Sequence, residues 1–327
     1  MKNFEYAAPR DEAGVLSVLS SEPGHTEILA GGTDLMGLMK KFIVTPERVV
    51  NIKEVRSFRG ITADSEGVTI GAVTNLDDML DSSELDEFPA VKQAIRNMAS
   101  LQLQAQGTLG GDLCQRPRCW FYRNGYGRLA AANLIEQGDH RFHAIFGNEG
   151  AAKFVSASRL APALIALGAQ LRIAGPGRAD ELFMPVEALF QTPRTESQRE
   201  IVLAPNQVVT HVRIPRKLAG NATYEVRHGE GPDFPLVAAS AALVIRQGIV
   251  EQASVVLGQV APTPWMSMAA ARAMVGQRVN EATADAAGEA AIAQATPLAD
   301  NGYKVQLAKV AVKRALLLAA GLETGGF

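Results

Sequence analysis

The chain has 327 residues, with 32 Lys and Arg against 34 Asp and Glu, a formal net charge of −2. That length suits two domains or three small ones, and the charge balance excludes the basic surplus with which nucleic-acid binders meet phosphates. AVILMFWYC residues make up 47%, too many for a disordered chain, yet no apolar run reaches the ~20 residues of a bilayer span.

Residues 1–60 read as a small α/β unit. Ala13 to Leu19 is a short helical stretch, and Thr26 to Ala30 a buried strand. Gly31-Gly32-Thr33-Asp34 breaks it before Leu35 to Lys41 resumes at helical spacing, and Arg48 to Ile52 reads as a strand. Residues 61–218 form a second α/β unit. Val68 to Ala72 alternates as a strand, Leu76 to Leu80 starts a helix, and Pro89 to Ser100 carries Val91, Ile95 and Met98 on one helical face. Gly107 to Asp112 interrupts again, and the polar stretch from Asn124 to Gly150 reads as a long surface loop, a place where function concentrates. Leu160 to Leu167 reads as a helix, Gln170 to Ala174 and Val208 to Ile214 as strands. A boundary falls near 215–221, and residues 221–327 form the tail. There Phe234 to Arg246 and Val250 to Val260 are strands joined by a Gln247-Gly248 hairpin. Glu281 to Gln294 and Tyr303 to Ala320 are helices, the second running from an Asp300/Asn301 cap to Gly321. The fold class is α+β.

Met1 to Glu5 enters this pattern without a charged and apolar leader, so the expected compartment is the cytoplasm, without membrane insertion. The two cysteines, Cys114 and Cys119, are expected to be reduced, packed thiols. Zinc and cubane sites usually take four protein ligands, and nothing in the sequence fixes His140 and His143 beside these two. No metal site is expected.

The chemistry concentrates in two glycine-pair loops, Ala30 to Leu35 and Gly107 to Asp112. Glycines let backbone approach a ligand, and amides opening a helix face whatever fills the loop. The hydroxyls of Thr33 and Thr108 add neutral donors, so two such loops converging would suit a pyrophosphate. Neither is a dinucleotide fingerprint or a P-loop, and either one alone also reads as a tight turn.

The run Ile28 to Leu35, with Lys40 and Pro46 to Ile52, resembles the N-terminal signature of the FAD-binding subunits of molybdenum hydroxylases. That family includes xanthine dehydrogenase, carbon monoxide dehydrogenase, aldehyde oxidoreductase and 4-hydroxybenzoyl-CoA reductase flavoproteins. Val68 to Thr74, Gly107 to Leu113, Val255 to Pro262 and Tyr303-Lys304 match in the same order. The resemblance implies a two-lobed FAD domain of the vanillyl-alcohol-oxidase type (lobes 1–60 and 61–218) and a C-terminal α+β domain (221–327). It implies cofactor contacts from Leu29, Ala30, Gly31, Gly32, Thr33, Asp34 and Leu35, and from Gly107, Thr108, Gly110, Gly111 and Asp112. Ala99 and Val208 would lie near the cofactor.

Three positions depart from the family pattern. Asp112 stands where relatives commonly carry Asn, and a carboxylate beside a diphosphate is unfavourable unless it faces ribityl hydroxyls or a cation. Ser158-Arg159 replaces a Ser-Asp pair; Arg159 either offers charge to phosphate or is a solvated helix-start residue, and the second is expected. Glu225 replaces a lysine often found beside the flavin, with Arg227 as a substitute. The segment Leu113 to Arg123 resembles relatives that hold an extra four-iron cluster. Cys119 falls on its first ligand and the later ligands are missing, so no cluster is expected, and Trp120, Phe121 and Tyr122 are expected to be buried packing rather than the alternative, a docking surface for a partner.

The implied role is electron transfer through FAD, which accepts electrons singly and passes them on as a pair. The partners would be a molybdenum-cofactor large subunit, a [2Fe-2S] small subunit and an external acceptor, with no catalytic residue in this chain. One alternative is a stand-alone FAD-dependent oxidoreductase with His211 or His228 as base. Another is an assembly protein that keeps the fold and has lost FAD, suggested by Arg159 and Glu225.

Overall fold

The computed structural model describes the chain apart from residues 130–133, 136–137, 178–179, 217–219, 230, 232 and 325–327. The expected boundary at 218 lies outside the described residues. Three sheets follow one another along the chain. The first joins β1 (Glu5–Ala7), β2 (Thr26–Leu29) and β3 (Arg48–Asn51) in the order β1-β3-β2, all parallel. Helix α1 (Glu12–Val18) crosses from β1 to β2, started by Asp11, whose carboxylate accepts from the Gly14 amide at 2.7 Å. Helix α2 (Leu35–Lys40) follows β2.

The second sheet is antiparallel, in the order β4-β5-β8-β6-β7. Its strands are β4 (Ile61–Ala63), β5 (Gly67–Gly71), β6 (Gln170–Ala174), β7 (Glu181–Pro185) and β8 (Val208–Pro215). Between β5 and β6 lie α3 (Leu76–Asp81), α4 (Pro89–Arg96), α5 (Leu101–Gln106), α6 (Leu109–Cys114), α7 (Trp120–Arg123) and α8 (Ala161–Ala166). The third sheet, order β12-β11-β10-β9, comprises β9 (Gly220–Val226), β10 (Val237–Arg246), β11 (Ile249–Gly258) and β12 (Trp265–Met266). It carries α9 (Met268–Met274), α10 (Glu281–Ile292) and α11 (Tyr303–Ala319).

Residues of β10 and β11 point alternately to two cores. Ala239, Ala241, Leu243, Val255 and Leu257 pack with α9 to α11. Ala242 and Val256 join the core of the second sheet, beside Val91, Ile95 and Leu164 of α4 and α8. Burial on both faces explains why β10 reads as an apolar run interrupted only by Ser240 before its final Arg246. Its hairpin to β11 turns at Gln247 and Gly248, with φ of 50° and 79°, the left-handed pair that a two-residue hairpin requires.

Three expectations are corrected. The helix expected over 89–100 ends at Arg96, because Ser100 starts a new one by accepting from the Leu103 amide at 3.3 Å. Helix α11 is entered at Gly302, and Asn301 does not cap it. Its side chain instead donates to the carbonyls of His143 and Ala144 at 3.1 and 3.2 Å. The segment expected as a surface loop is anchored in its second half: Ile145 and Phe146 are buried, and so are His140 and His143. Buried Lys304 holds it by donating from Nζ to the His143 and Gln259 carbonyls at 3.2 and 2.6 Å. Among the described residues no helix is long and apolar enough to cross a membrane.

Candidate functional site

The two glycine loops touch. A Cβ on Gly31 would lie 1.9 Å from the carbonyl oxygen of Gln106 and 3.2 Å from the Cα of Gly107, so no side chain fits between these backbones. Gly110 also sits close to the chain leaving β5, where its Cβ would be 2.9 Å from that of Ala72. The first loop thus leaves β2 for α2 directly against the turn from α5 to α6.

A cavity of about 390 Å³ opens beside this contact. Its wall includes Ala30, Gly31, Gly32, Thr33, Asp34 and Leu35 of the first loop, Thr108, Gly110 and Gly111 of the second, and Val208 of β8. A recess of about 60 Å³ adjoins it, sharing Thr33, Asp34, Thr108, Gly111 and Gln115 and adding Gly107, Asp112, Met98, Leu103, Arg118, Arg159 and Phe234. Leu29 lines neither; its Cδ1 lies 3.2 Å from where a Cβ of Gly32 would be, beneath the loop. Ala99 is exposed and its neighbour Met98 lines the recess in its place.

The loops are not equivalent donors. Amides of Leu109, Gly110 and Asp112 are bonded to the carbonyls of Thr74, Ala72 and Thr108 at 3.1, 2.8 and 2.9 Å. The Gly111 amide is bonded to Thr108 Oγ1 at 3.1 Å. Amides 31–34 find no acceptor among the described residues. The expectation that both loops keep N–H groups free for a ligand is therefore corrected for the second loop, whose amides are spent inside the chain, while those of the first have no acceptor among the described residues. A run of free amides beside a glycine contact suits phosphate oxygens, which need several short donors.

The carboxylates are occupied internally. Asp34 accepts from the Arg116 amide at 2.8 Å and from Arg123 Nη2 at 2.6 Å, tying the first loop to the segment after α6. Asp112 is buried and faces the entry to α8. It accepts from Ser158 Oγ at 3.0 Å, the Arg159 amide at 3.0 Å, the Leu160 amide at 3.1 Å and Gln115 Nε2 at 3.1 Å. Burial pushes its pKa up, opposed by those amides and by Ser158. Its oxygens are thus spent on donors of its own chain.

Arg159 corrects a second expectation. It is 4% exposed rather than solvated, and its guanidinium grips Glu225, whose side chain is 1% exposed. Nη2 of Arg159 also donates to the Asn97 carbonyl at 2.7 Å. Burial pushes Glu225 up, and Arg159 opposes it. The residues at 159 and 225, each expected as a separate departure, thus form one buried ion pair beside the recess. Arg118 lies over the Phe234 ring, 4.7 Å from its centroid, on the same recess.

Cys119 and the two histidines, unlinked by sequence spacing, form a chain of contacts. Cys119 Sγ is 3.4 Å from His143 Nε2, and His143 Nδ1 is 3.1 Å from His140 Nδ1. Among the described residues no group of three or more His, Cys, Asp and Glu is arranged to hold a metal. Tyr122 is buried as expected, but Trp120 is 54% exposed. The sequence reading also missed Arg116, Arg128, Arg199 and Glu200, which gather at the large cavity. Four arginines within residues 116–128 were the available signal; the fold was needed to bring Arg199 and Glu200 to them.

Residues 2–217 match the family model described as the FAD binding domain in molybdopterin dehydrogenase, and residues 222–319 the CO dehydrogenase flavoprotein C-terminal domain. The aldehyde oxidoreductase FAD-binding subunit PaoB of Escherichia coli (strain K12) is 29% identical over 317 residues, covering 94% of this chain and 96% of that one. The carbon monoxide dehydrogenase medium chain of Hydrogenophaga pseudoflava is 27% identical over 323 residues, covering 96% of each. Among solved structures, carbon monoxide dehydrogenase from Hydrogenophaga pseudoflava lacking the Mo-pyranopterin moiety is similar with a TM-score of 0.77 at 25% identity, covering 98% of each chain. Quinoline 2-oxidoreductase from Pseudomonas putida 86 shares the fold, with a TM-score of 0.76 at 23% identity over 98% of this chain and 99% of that one. With both family models in chain order and a cleft of matching chemistry between its glycine loops, this chain belongs to the FAD-binding medium subunits of the molybdenum hydroxylase family, an oxidoreductase flavoprotein of two-domain α+β fold.

Proposed function

We propose that this chain carries electrons through FAD within a three-part complex. They would arrive from a [2Fe-2S] small subunit fed by a molybdenum-cofactor large subunit, and leave for an external acceptor. Bound FAD supplies the step from single electrons to a pair. In this reading residues 1–60 and 61–218 are the two FAD-binding lobes, and residues 221–327 the C-terminal unit.

The single observation that carries the reading is the backbone contact between Gly31 and Gln106–Gly107, which sets the free amides of residues 31–34 against the cavity. Those amides and the Thr33 and Thr108 hydroxyls would orient the diphosphate. Gly31, Gly32, Gly110 and Gly111 would admit it without a side chain in the way. Leu29 would support the loop from below. Gly107 and Asp112, on the recess, would shape the approach to the ring, with Arg159 and Glu225 fixing the charge there. Ala99, exposed, would mark its outer edge.

Neither alternative gains a specific observation. His211, the candidate base of a stand-alone enzyme, sits on β8 with Nε2 2.9 Å from the Ser57 carbonyl and lines neither cavity. The pairing of Arg159 with Glu225 removes the ground for treating them as signs of a lost cofactor.

The test is anaerobic mixing of substrate with the complete complex and with this chain alone, following the flavin absorbance band. Bleaching is expected only when the [2Fe-2S] subunit is present. Bleaching of this chain alone would instead establish a stand-alone oxidoreductase, and no bleaching in the complete complex would refute the electron-carrying role.

A further inference from the structure

The large cavity holds charge that the glycine loops do not explain. Arg116, Arg128 and Arg199 line it, and the first two meet Glu200, whose side chain is 7% exposed. Arg116, with 6% of its side chain exposed, contacts Glu200 Oε1 through Nε, and Arg128 Nε stands 3.9 Å from Oε2. Nη2 of Arg116 and Nε of Arg199 are then buried with no hydrogen-bond partner. Arg128 is otherwise held by the carbonyls of Glu196 and Gln198. Arg199 makes no side-chain hydrogen bond or ion pair among the described residues. Two guanidiniums thus meet one buried carboxylate and a third lines the same cavity, with cationic nitrogens among them buried and unpaired. A charged donor left so is destabilising, and the arrangement calls for an acceptor from outside the chain.

The loops themselves offer little positive charge. Their donors are neutral, α2 and α6 have only six residues each, and the side chains they add are Asp34 and Asp112. Glu27 adds a further carboxylate to the same wall. A diphosphate entering this cavity would meet direction from the amides without compensation of its charge. We propose that Arg116, Arg128 and Arg199 form an anion subsite that neutralises the phosphate of the bound nucleotide. Arg116 and Arg199 supply unpaired donors, and Glu200 holds Arg116 in place. The inference rests on the flavin reading above and extends it to residues outside the glycine loops.

The test titrates the flavin-free full-length chain with FAD, ADP and riboflavin, comparing wild type with Arg199→Gln, Arg199→Lys and Arg128→Gln. Arg199→Gln is expected to weaken FAD and ADP about tenfold or more, the scale of a hydrogen bond to a charged group. Arg199→Lys should recover most of that, and riboflavin, which has no phosphate, should bind as before. The fall of FAD affinity with added salt should be shallower in Arg199→Gln. Flavin-free Arg199→Gln should melt no lower than wild type, since it removes an unpaired buried charge; a lower melting temperature would point to a structural role. The proposal is overturned if both Gln variants bind FAD within about twofold of wild type, less than a neutral hydrogen bond is worth, or if riboflavin weakens equally. Wild type that takes ADP, with the same sensitivity to Arg199→Gln, but not FAD would keep the subsite and remove the flavin reading.

Discussion

Replacing Gly31 by Ala probes the contact that creates the cleft. The added Cβ would start 1.9 Å from the Gln106 carbonyl oxygen and 2.9 Å from its carbonyl carbon. Restoring a tolerable separation of 3.0 Å requires a shift of 1.1 Å, and both partners are backbone, so no side chain can swing away. The flavin-free chain can relieve this by parting the two loops; the nucleotide-bound chain cannot, because the diphosphate needs both walls at once. Overpacking of this kind costs about 1–3 kcal/mol. If the loss falls on binding, FAD affinity drops between about fivefold and about 150-fold. Quenching of flavin fluorescence on titration measures it directly. Gly37→Ala is the control: it lies on α2, a Cβ there meets nothing within 4 Å, and alanine favours a helix by about 1 kcal/mol. Gly31→Ala binding FAD as tightly as Gly37→Ala would refute the claim that this contact shapes the site.

Arg159→Met should lower stability by about 3–5 kcal/mol, because it leaves Glu225 charged and buried without its partner; on the scale of a few degrees per kcal/mol, the melting temperature should fall by roughly 10 °C. The exchange of Arg159→Glu with Glu225→Arg should recover at least half of that loss, and failure to recover any would mean the pair is held by something other than mutual charge. Burial, reinforced by His140 and Lys304, holds His143 down at about 4 against an ordinary 6.5. The unfolded chain therefore takes up its proton first, so stability should fall as pH drops from 6.5 to 4, by up to about 3 kcal/mol from this group. Urea unfolding at several pH values should show that slope in wild type and a shallower one in His143→Gln; equal slopes would show that His143 is protonated in the native state.

The elements that the sequence revealed are those whose burial follows one period. Val91 and Ile95 mark the inner face of α4, and the apolar run of β10, broken only by Ser240 before Arg246, fits a strand buried on both sides. The missed strands carry weaker patterns. Glu5–Ala7 is three residues long and largely exposed, and Gly220–Val226 begins inside a stretch of turn composition. Helix α6 hid behind its own glycines, which read as a loop because the neighbour that keeps Gly110 small, Ala72, lies 38 positions away in the chain.

The site was legible as two loops but not as an arrangement. Which loop keeps its amides free depends on the carbonyls of Ala72 and Thr74 reaching the second loop, a matter of packing. Likewise Arg159 and Glu225, 66 positions apart, each read as an isolated loss until the fold set them side by side. Lys304 and Asn301 were visible only as the start of a helix, whereas their side chains reach back to hold residues 143 and 144.

Amide hydrogen exchange with and without FAD separates the two loops most directly. Amides 31–34, which have no acceptor among the described residues, should exchange quickly in the flavin-free chain and slow strongly once FAD is bound. Amides 109–112, already bonded to Thr74, Ala72 and Thr108, should change far less. Protection confined to the second loop, or unchanged exchange at residues 31–34 in a protein saturated with FAD, would contradict the placement of the diphosphate against the first.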